Sequence, residues 1–309
     1  KYIINERNIY MKILEKPKMM QDASNHRSPK NVFLQILIFF AVFIVATIVQ
    51  FIILLIPSII IGLSGQETNI DFNIITLFLT VIMTVTVIIY CKFIEGRSLY
   101  SIGMRKEGAV KQYAVGLLIG LVMFVLTYLI IYLFGGVESF EFNAGVNVVM
   151  LIVFFIGFFF QGMSEEFLCR GFLMNTIGAK NSIYSGIIVS SVMFASLHLI
   201  NPGITVLSVV NLILYGVFLG IYMIVTDNIW GVSAIHSIWN FAQGNIFGIL
   251  VSGQKLGDSL FTTQFADGKD FFSGGSFGAE GGIATTIVLV ISIALVLFYN
   301  MKRIKNNAA

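Results

Sequence analysis

Five titratable side chains and one amide stand at helical spacings inside long apolar runs. Glu165 and Glu166 are followed by Arg170, His198 stands alone, and His236 is followed by Asn240. Glu166 and Arg170 are four residues apart, so on a helix they share a face and can pair. Glu165 is turned about 100° from Glu166 and is free to point elsewhere. Phe194 and His198, like His236 and Asn240, again stand four apart on one face. Ionisable groups are costly in hydrocarbon and mark functional sites there. Of sixteen acids only Glu165 and Glu166 fall well inside an apolar run, and of nineteen basic residues only Arg170 does; His26, the third histidine, lies outside. Carboxylates beside imidazoles suit proton transfer to and from a reacting group. Glu165, His198 and His236 would also serve as a two-histidine, one-carboxylate ligand set for a divalent metal such as zinc, and spacing alone does not choose between the two.

The elements that must position these groups are membrane helices. The chain is 57% hydrophobic and 11% charged, against about 25% charge in a soluble domain. A span needs roughly 17–25 largely apolar residues. That rule predicts an all-α, polytopic membrane protein of about eight helices, near 33–62, 73–91, 113–134, 147–172, 182–200, 204–225, 229–251 and 283–301. The first is expected to kink at Pro57. Seventeen of nineteen lysines and arginines fall on one side of this arrangement, leaving Lys255 and Lys269 on the other, which places both termini in the cytoplasm. Glu165 lies about sixteen residues before the turn near 180–183 and His198 about sixteen after it. An antiparallel hairpin therefore brings them level, about 24 Å from the turn. His236 and Asn240 reach that level if residues 172–181 project about two turns beyond the bilayer.

Residues 1–30 form a basic cytoplasmic tail, either solvated or holding an interfacial helix around Ile9, Ile13, Leu14 and Met20. Residues 31–251 make the first seven helices, 252–282 a flexible, extracytoplasmic Gly/Phe-rich loop, and 283–309 the last helix and a basic tail. Gly116/Gly120 and Gly216/Gly220 have the spacing of close helix packing. A formal charge of +3 does not suggest nucleic acid, and two cysteines make neither a disulfide framework nor a zinc knuckle. Each candidate also has a structural reading: an ion pair for Glu166–Arg170, interhelical hydrogen bonds for the histidines, Gln161 and Asn211, cavity wall or packing for Phe194, a cytoplasmic turn for Asp227. There is no His-Glu-x-x-His zinc helix and no aspartate deep in a span. Gly231-Val232-Ser233-Ala234 is only faintly like a rhomboid serine motif, and no histidine follows His236 to serve it.

Glu165-Glu166-Phe167-Leu168-Cys169-Arg170 resembles the E-E-x-x-x-R motif of the CAAX prenyl endopeptidase and bacteriocin-processing (CPBP or Abi) family. Phe194-Ala195-Ser196-Leu197-His198 is similar to its F-x-x-x-H motif and His236-Ser237-Ile238-Trp239-Asn240 to its H-x-x-x-N motif. Arg97 to Arg105 resembles the cytoplasmic segment upstream, so the likeness covers about 95–245. It implies an eight-helix intramembrane endopeptidase with a cavity open toward the cytosol. Carried over, Glu165 would activate water with His198, His236 and Asn240 would stabilise the oxyanion, and Glu166, Arg170 and Phe194 would support them. Metal dependence stays open. The implied function is hydrolysis of a peptide bond in a membrane-associated peptide or protein, with the lipid bilayer as solvent; the Ile, Lys and Asn usage suggests an AT-rich bacterial genome and so a bacterial cell membrane. The alternatives are a non-proteolytic scaffold or bacteriocin self-immunity protein, and a transporter with a Glu-Arg-His ion-coupling cluster. An absent internal repeat counts against the transporter.

Overall fold

In a computed structural model, which describes residues 14–64 and 72–308, the chain is a mostly helical, multi-pass membrane protein. After a short helix α1 (Lys18–Ser24) come α2 (Val32–Ser64), α3 (Phe72–Ile94) and α4 (Ala109–Leu133). Strand β1 (Val137–Phe142) leads to α5 (Val148–Lys180), then α6 (Ile183–Ser196), α7 (Val206–Thr226) and α8 (Ile229–Phe241). Strand β2 (Phe261–Phe265), the single turn α9 (Asp270–Ser273) and α10 (Ile283–Ala308) complete the chain.

Six helices, α2, α3, α4, α5, α7 and α10, are long and apolar enough to cross a membrane. The other two expected spans are shorter. α6 has 14 residues and rises about 21 Å, less than the hydrocarbon layer of about 30 Å. α8 has 13 residues and continues only through a wide turn at Ala242–Ile246. α2 runs unbroken through position 57 and turns Ile44, Ile48 and Phe51 outward, as a lipid-facing helix does. α8 is its opposite: every residue from Gly231 to Asn240 is buried, with α4 and α5 as its main neighbours.

Local sequence sets the helix ends. Asn147 accepts hydrogen bonds from the N–H groups of Val149 and Met150, satisfying two free donors at the start of α5. Thr205 and Ser208 form a reciprocal cap on α7. Asp227, at φ 51°, turns the chain out of α7, and Asn228 caps α8. The glycine pairs work as expected. A Cβ on Gly116 would stand 2.4 Å from Gly231 O, one on Gly120 2.6 Å from Ile235 O, and one on Gly216 2.7 Å from Ser191, so α4 touches α8, and α7 touches α6, backbone to backbone.

The segments predicted on the basic side do gather at one end. α5 is about 50 Å long, and its last turns are sheathed by residues 14–30 rather than left bare. Met19, Met20 and Ala23 are fully buried, and Met20 packs on Gly178. Lys180 donates to Ser24 O and His26 O, and Lys16 donates to Ala179 O. The described part of this segment packs its apolar side chains, Leu14, Met19, Met20 and Ala23, into the protein; Ile9 and Ile13 lie outside the described residues.

At the other end the all-α expectation is corrected by an antiparallel ribbon, β1 with β2. In β1, Phe140 and Phe142 stand two apart on one side, and the register shifts between Val137 and Ser139. Phe140 stacks on Phe261 at 4.6 Å. Residues 252–282, expected as a flexible loop, hold β2, α9 and two tight turns. Asn245, at the end of α8, secures them by donating to Leu256 O and Asp258 O.

Candidate active site

The site forms where α5, α6 and α8 meet. Gly162 makes the approach possible: a Cβ there would lie 2.6 Å from Ser237 Oγ and 2.7 Å from Ser237 N. One turn further along α5, immediately after Glu166, the helix widens to π geometry from Phe167 to Met174. Such insertions in an α-helix are frequent at functional sites. Here the widened stretch is fully buried, and Arg97 anchors it by donating to Gly171 O and to Thr176 Oγ1.

Glu166 and Arg170 form the expected ion pair, Nη1 to Oε1 at 2.9 Å, with both side chains wholly buried. The same Oε1 accepts from Nδ1 of His236 at 2.8 Å. The Arg170 guanidinium lies over the Phe194 ring, 4.5 Å from its centroid. Phe194 also meets both imidazoles, at 4.8 Å for His198 and 5.9 Å for His236. It therefore packs at the centre of the cluster and lines the cavity.

His198 lies just beyond α6, in the turn that follows it, rather than inside a span. Its Nδ1 is 2.9 Å from Phe194 O. A carbonyl only accepts, so Nδ1 carries the proton and Nε2 of the neutral ring presents a lone pair. The bond from His236 to Glu166 fixes the same tautomer. Both Nε2 atoms then face one oxygen, Glu165 Oε2, at 4.0 Å for His198 and 3.7 Å for His236. That oxygen has no hydrogen-bond partner among the described residues. The other, Oε1, accepts from Gln161 Nε2 at 2.5 Å, and Gln161 Oε1 accepts from Asn240 Nδ2 at 3.0 Å. Glu165 is thus oriented through one oxygen and left open at the other.

All seven residues singled out in the sequence converge here. Glu165, Phe194, His198, His236 and Asn240 line a cavity of about 220 Å³, with Glu166 and Arg170 directly behind. Among the described residues no group of three or more His, Cys, Asp or Glu side chains is arranged to hold a metal ion. Ligand atoms around a tetrahedral zinc stand about 3.3–3.4 Å apart, closer than these edges. A water hydrogen-bonded at about 2.8 Å to both ends of a 3.7–4.0 Å gap fits without movement of the protein.

The cavity is walled from the ribbon end: Asn73 and Thr76 at the start of α3, Asn201, Ser252, Gln254 and Glu280. No residue of the segments 14–30 or 95–108 lines this space. Sequence reasoning missed Glu280, counted as part of the loop. Its Oε2 accepts from Ser252 N at 3.0 Å and Ser252 Oγ at 2.7 Å, while Asn211 holds its turn by donating to Glu280 O and Gly282 O. Burial pushes the Glu280 carboxyl above its ordinary range, and Ser252 and the two imidazoles oppose that rise. The available signal was an acid between glycines immediately before the last apolar run. Gln161, read only as an interhelical bonder, carried one too, four residues before Glu165 on the same face.

The family model for Type II CAAX prenyl endopeptidase Rce1-like proteins matches residues 147–242, under a third of the chain, from the cap of α5 to the end of α8. The matched stretch contains all seven residues above, and neither Ser252 nor Glu280. No curated protein matches the chain.

Proposed function

We propose that this chain is an intramembrane endopeptidase that hydrolyses a peptide bond in a membrane-associated peptide or protein. The observation that carries this reading is Glu165 Oε2, unpartnered and faced by the Nε2 atoms of His198 and His236 at the edge of the cavity. The likeness of residues 147–242 to Type II CAAX prenyl endopeptidase Rce1-like proteins supports the same reaction class.

A water held against Glu165 Oε2 and the lone pair of His198 Nε2 gives its proton to the Glu165 carboxylate as its oxygen attacks the carbonyl carbon. The carbonyl π pair moves onto oxygen. The resulting oxyanion is met by Asn240, whose second N–H is left over from the bond to Gln161, and by the His236 ring. In its neutral form that ring has its only proton on Nδ1, toward Glu166, so it donates from Nε2 as an imidazolium, with a carboxylate at each nitrogen. Collapse of the tetrahedral species expels the amine, which takes the proton from Glu165. Glu166 and Arg170 fix the His236 ring, and Gln161 fixes the Glu165 carboxylate; neither task requires touching substrate. Glu165, His198 and His236 would be the ligands of a divalent metal, but their spacing suits water better, and no step is routed through a metal.

The test is cleavage of a candidate-substrate peptide library by wild type, Glu165→Ala and His198→Ala in membranes, with and without a chelator. Fragments released by wild type alone, chelator present or absent, are the expected result. A library left intact by wild type, with the cellular role retained by both variants, would establish the scaffold or immunity alternative instead.

A further inference from the structure

The cavity has a charge imbalance that the hydrolytic step does not use. Among the described residues its wall contains two carboxylates, Glu165 and Glu280, and two imidazoles, with no lysine or arginine. Behind it, Glu166 already answers Arg170, the one fixed cation of the cluster. Glu280 is 8% exposed, so more than nine-tenths buried. Ser252 binds only its Oε2, and the other oxygen has no hydrogen bond or ion pair among the described residues. That oxygen is not itself sealed off by protein, so it is open to a group that enters the cavity. Here it is held in place rather than left by chance. Ser252, Asn211 and the close fit around Gly281 lock the turn that presents it.

We propose that Glu280 forms a cation subsite of the cavity, which binds a positively charged group of the substrate, a lysine or arginine side chain or a free α-amine close to the scissile bond. This rests on the hydrolytic reading for the word substrate, though the binding itself does not require cleavage. The bound cation supplies the missing partner of the free oxygen and offsets the negative charge contributed by Glu165. The rings of Tyr215 and Trp239 in the same wall offer apolar surface to the methylene stem of a basic side chain. A substrate with an acidic residue at that position would meet the Glu280 carboxylate instead of a partner for its charge, so it is disfavoured by repulsion as well as by missing contacts.

The test is a randomised ten-residue peptide library, half of it acetylated on lysines and N-termini, presented to the full chain in lipid nanodiscs. Bound peptides are sequenced for wild type, Glu165→Gln, Glu280→Gln and Glu280→Lys. Glu280→Gln keeps an oxygen for Ser252, and its melting temperature checks that the fold survives. A charge-assisted hydrogen bond predicts roughly ten- to a hundred-fold enrichment of free over acetylated cationic groups at one position. Wild type and Glu165→Gln should both show it, Glu280→Gln should lose it, and Glu280→Lys should invert it toward aspartate and glutamate. Enrichment without cleavage would sink the hydrolytic reading and leave the subsite standing. Equal recovery of free and acetylated peptides by wild type, or enrichment that survives in Glu280→Gln, would overturn the subsite.

Discussion

Replacing Gly162 by alanine tests whether the approach of α5 to α8 creates the site. The new Cβ would meet Ser237 Oγ at 2.6 Å, Ser237 N at 2.7 Å and Ser237 Cα at 3.0 Å. Two of those atoms are backbone, so no rotamer change relieves the clash. Ordinary contact begins at roughly 3.5 Å, so the helices must part by about 0.7–0.8 Å. Carried to the next turn, that opening stretches the 2.8 Å bond from His236 to Glu166 to about 3.5 Å, where little hydrogen bonding remains. Overpacking of this kind costs about 1–3 kcal/mol. A displacement near 1 Å at a reacting group costs on the order of 100-fold in rate. Gly157→Ala is the matched control on the same helix, because its Cβ meets Leu77 Cβ at 3.1 Å, Leu77 Cδ1 at 3.2 Å and Phe78 at 3.6 Å, so the neighbour need give by only a few tenths of an ångström. Melting temperature and initial cleavage rate of both variants are to be compared in nanodiscs. Gly162→Ala should lose most of its activity while Gly157→Ala stays within a few-fold of wild type. Wild-type rates from Gly162→Ala, or equal losses from both, would refute this reasoning.

Glu166→Ala leaves Arg170 charged, buried and without its carboxylate, which should cost about 3–5 kcal/mol in chemical or thermal unfolding. Glu166→Gln removes the same charge, so it should lose nearly as much, and a near-neutral Glu166→Gln would contradict the ion-pair role. Arg97→Met removes five hydrogen bonds, two of them to α5 and three within the 95–101 segment, and strands the buried Glu95, so a loss of about 3–5 kcal/mol is expected, against near-neutrality for a solvated arginine. At the basic end, burial and then the hydrogen bond to Asp227 push Tyr100 up to about 12. Its folded value lies above its unfolded one, so its stabilisation is complete below about pH 10 and is lost as pH rises toward about 12. Wild type should therefore lose its margin over Tyr100→Phe across that window in melting temperature, and a margin constant with pH would contradict the assignment.

The catalytic candidates were legible because hydrocarbon makes polar groups rare. With so few titratable side chains inside apolar runs, spacing alone placed Glu166 against Arg170 and brought Glu165 level with His198. The order and rough bounds of the helices followed from hydropathy. What escaped was set by packing between distant segments. Met20 read as part of a basic tail because nothing local shows that Gly178 receives it. The ribbon was hidden in two short segments, each too short to be distinguished from loop. Glu280 was counted with the outer loop because its burial depends on Ser252 and Asn211, 28 and 69 residues away. Arg97 was counted among the charges that orient the chain, and is in fact 2% exposed.

The most direct measurement is cleavage in ¹⁸O-labelled water by purified wild type and Glu165→Gln in nanodiscs, with fragment masses read at matched protein amounts. Wild type should release fragments whose new C-terminus carries one labelled oxygen, and Glu165→Gln, with Gln161 and both histidines still in place, should release almost none. Labelled fragments appearing at the same rate from Glu165→Gln would contradict the assignment of Glu165 as the group that takes the proton from water.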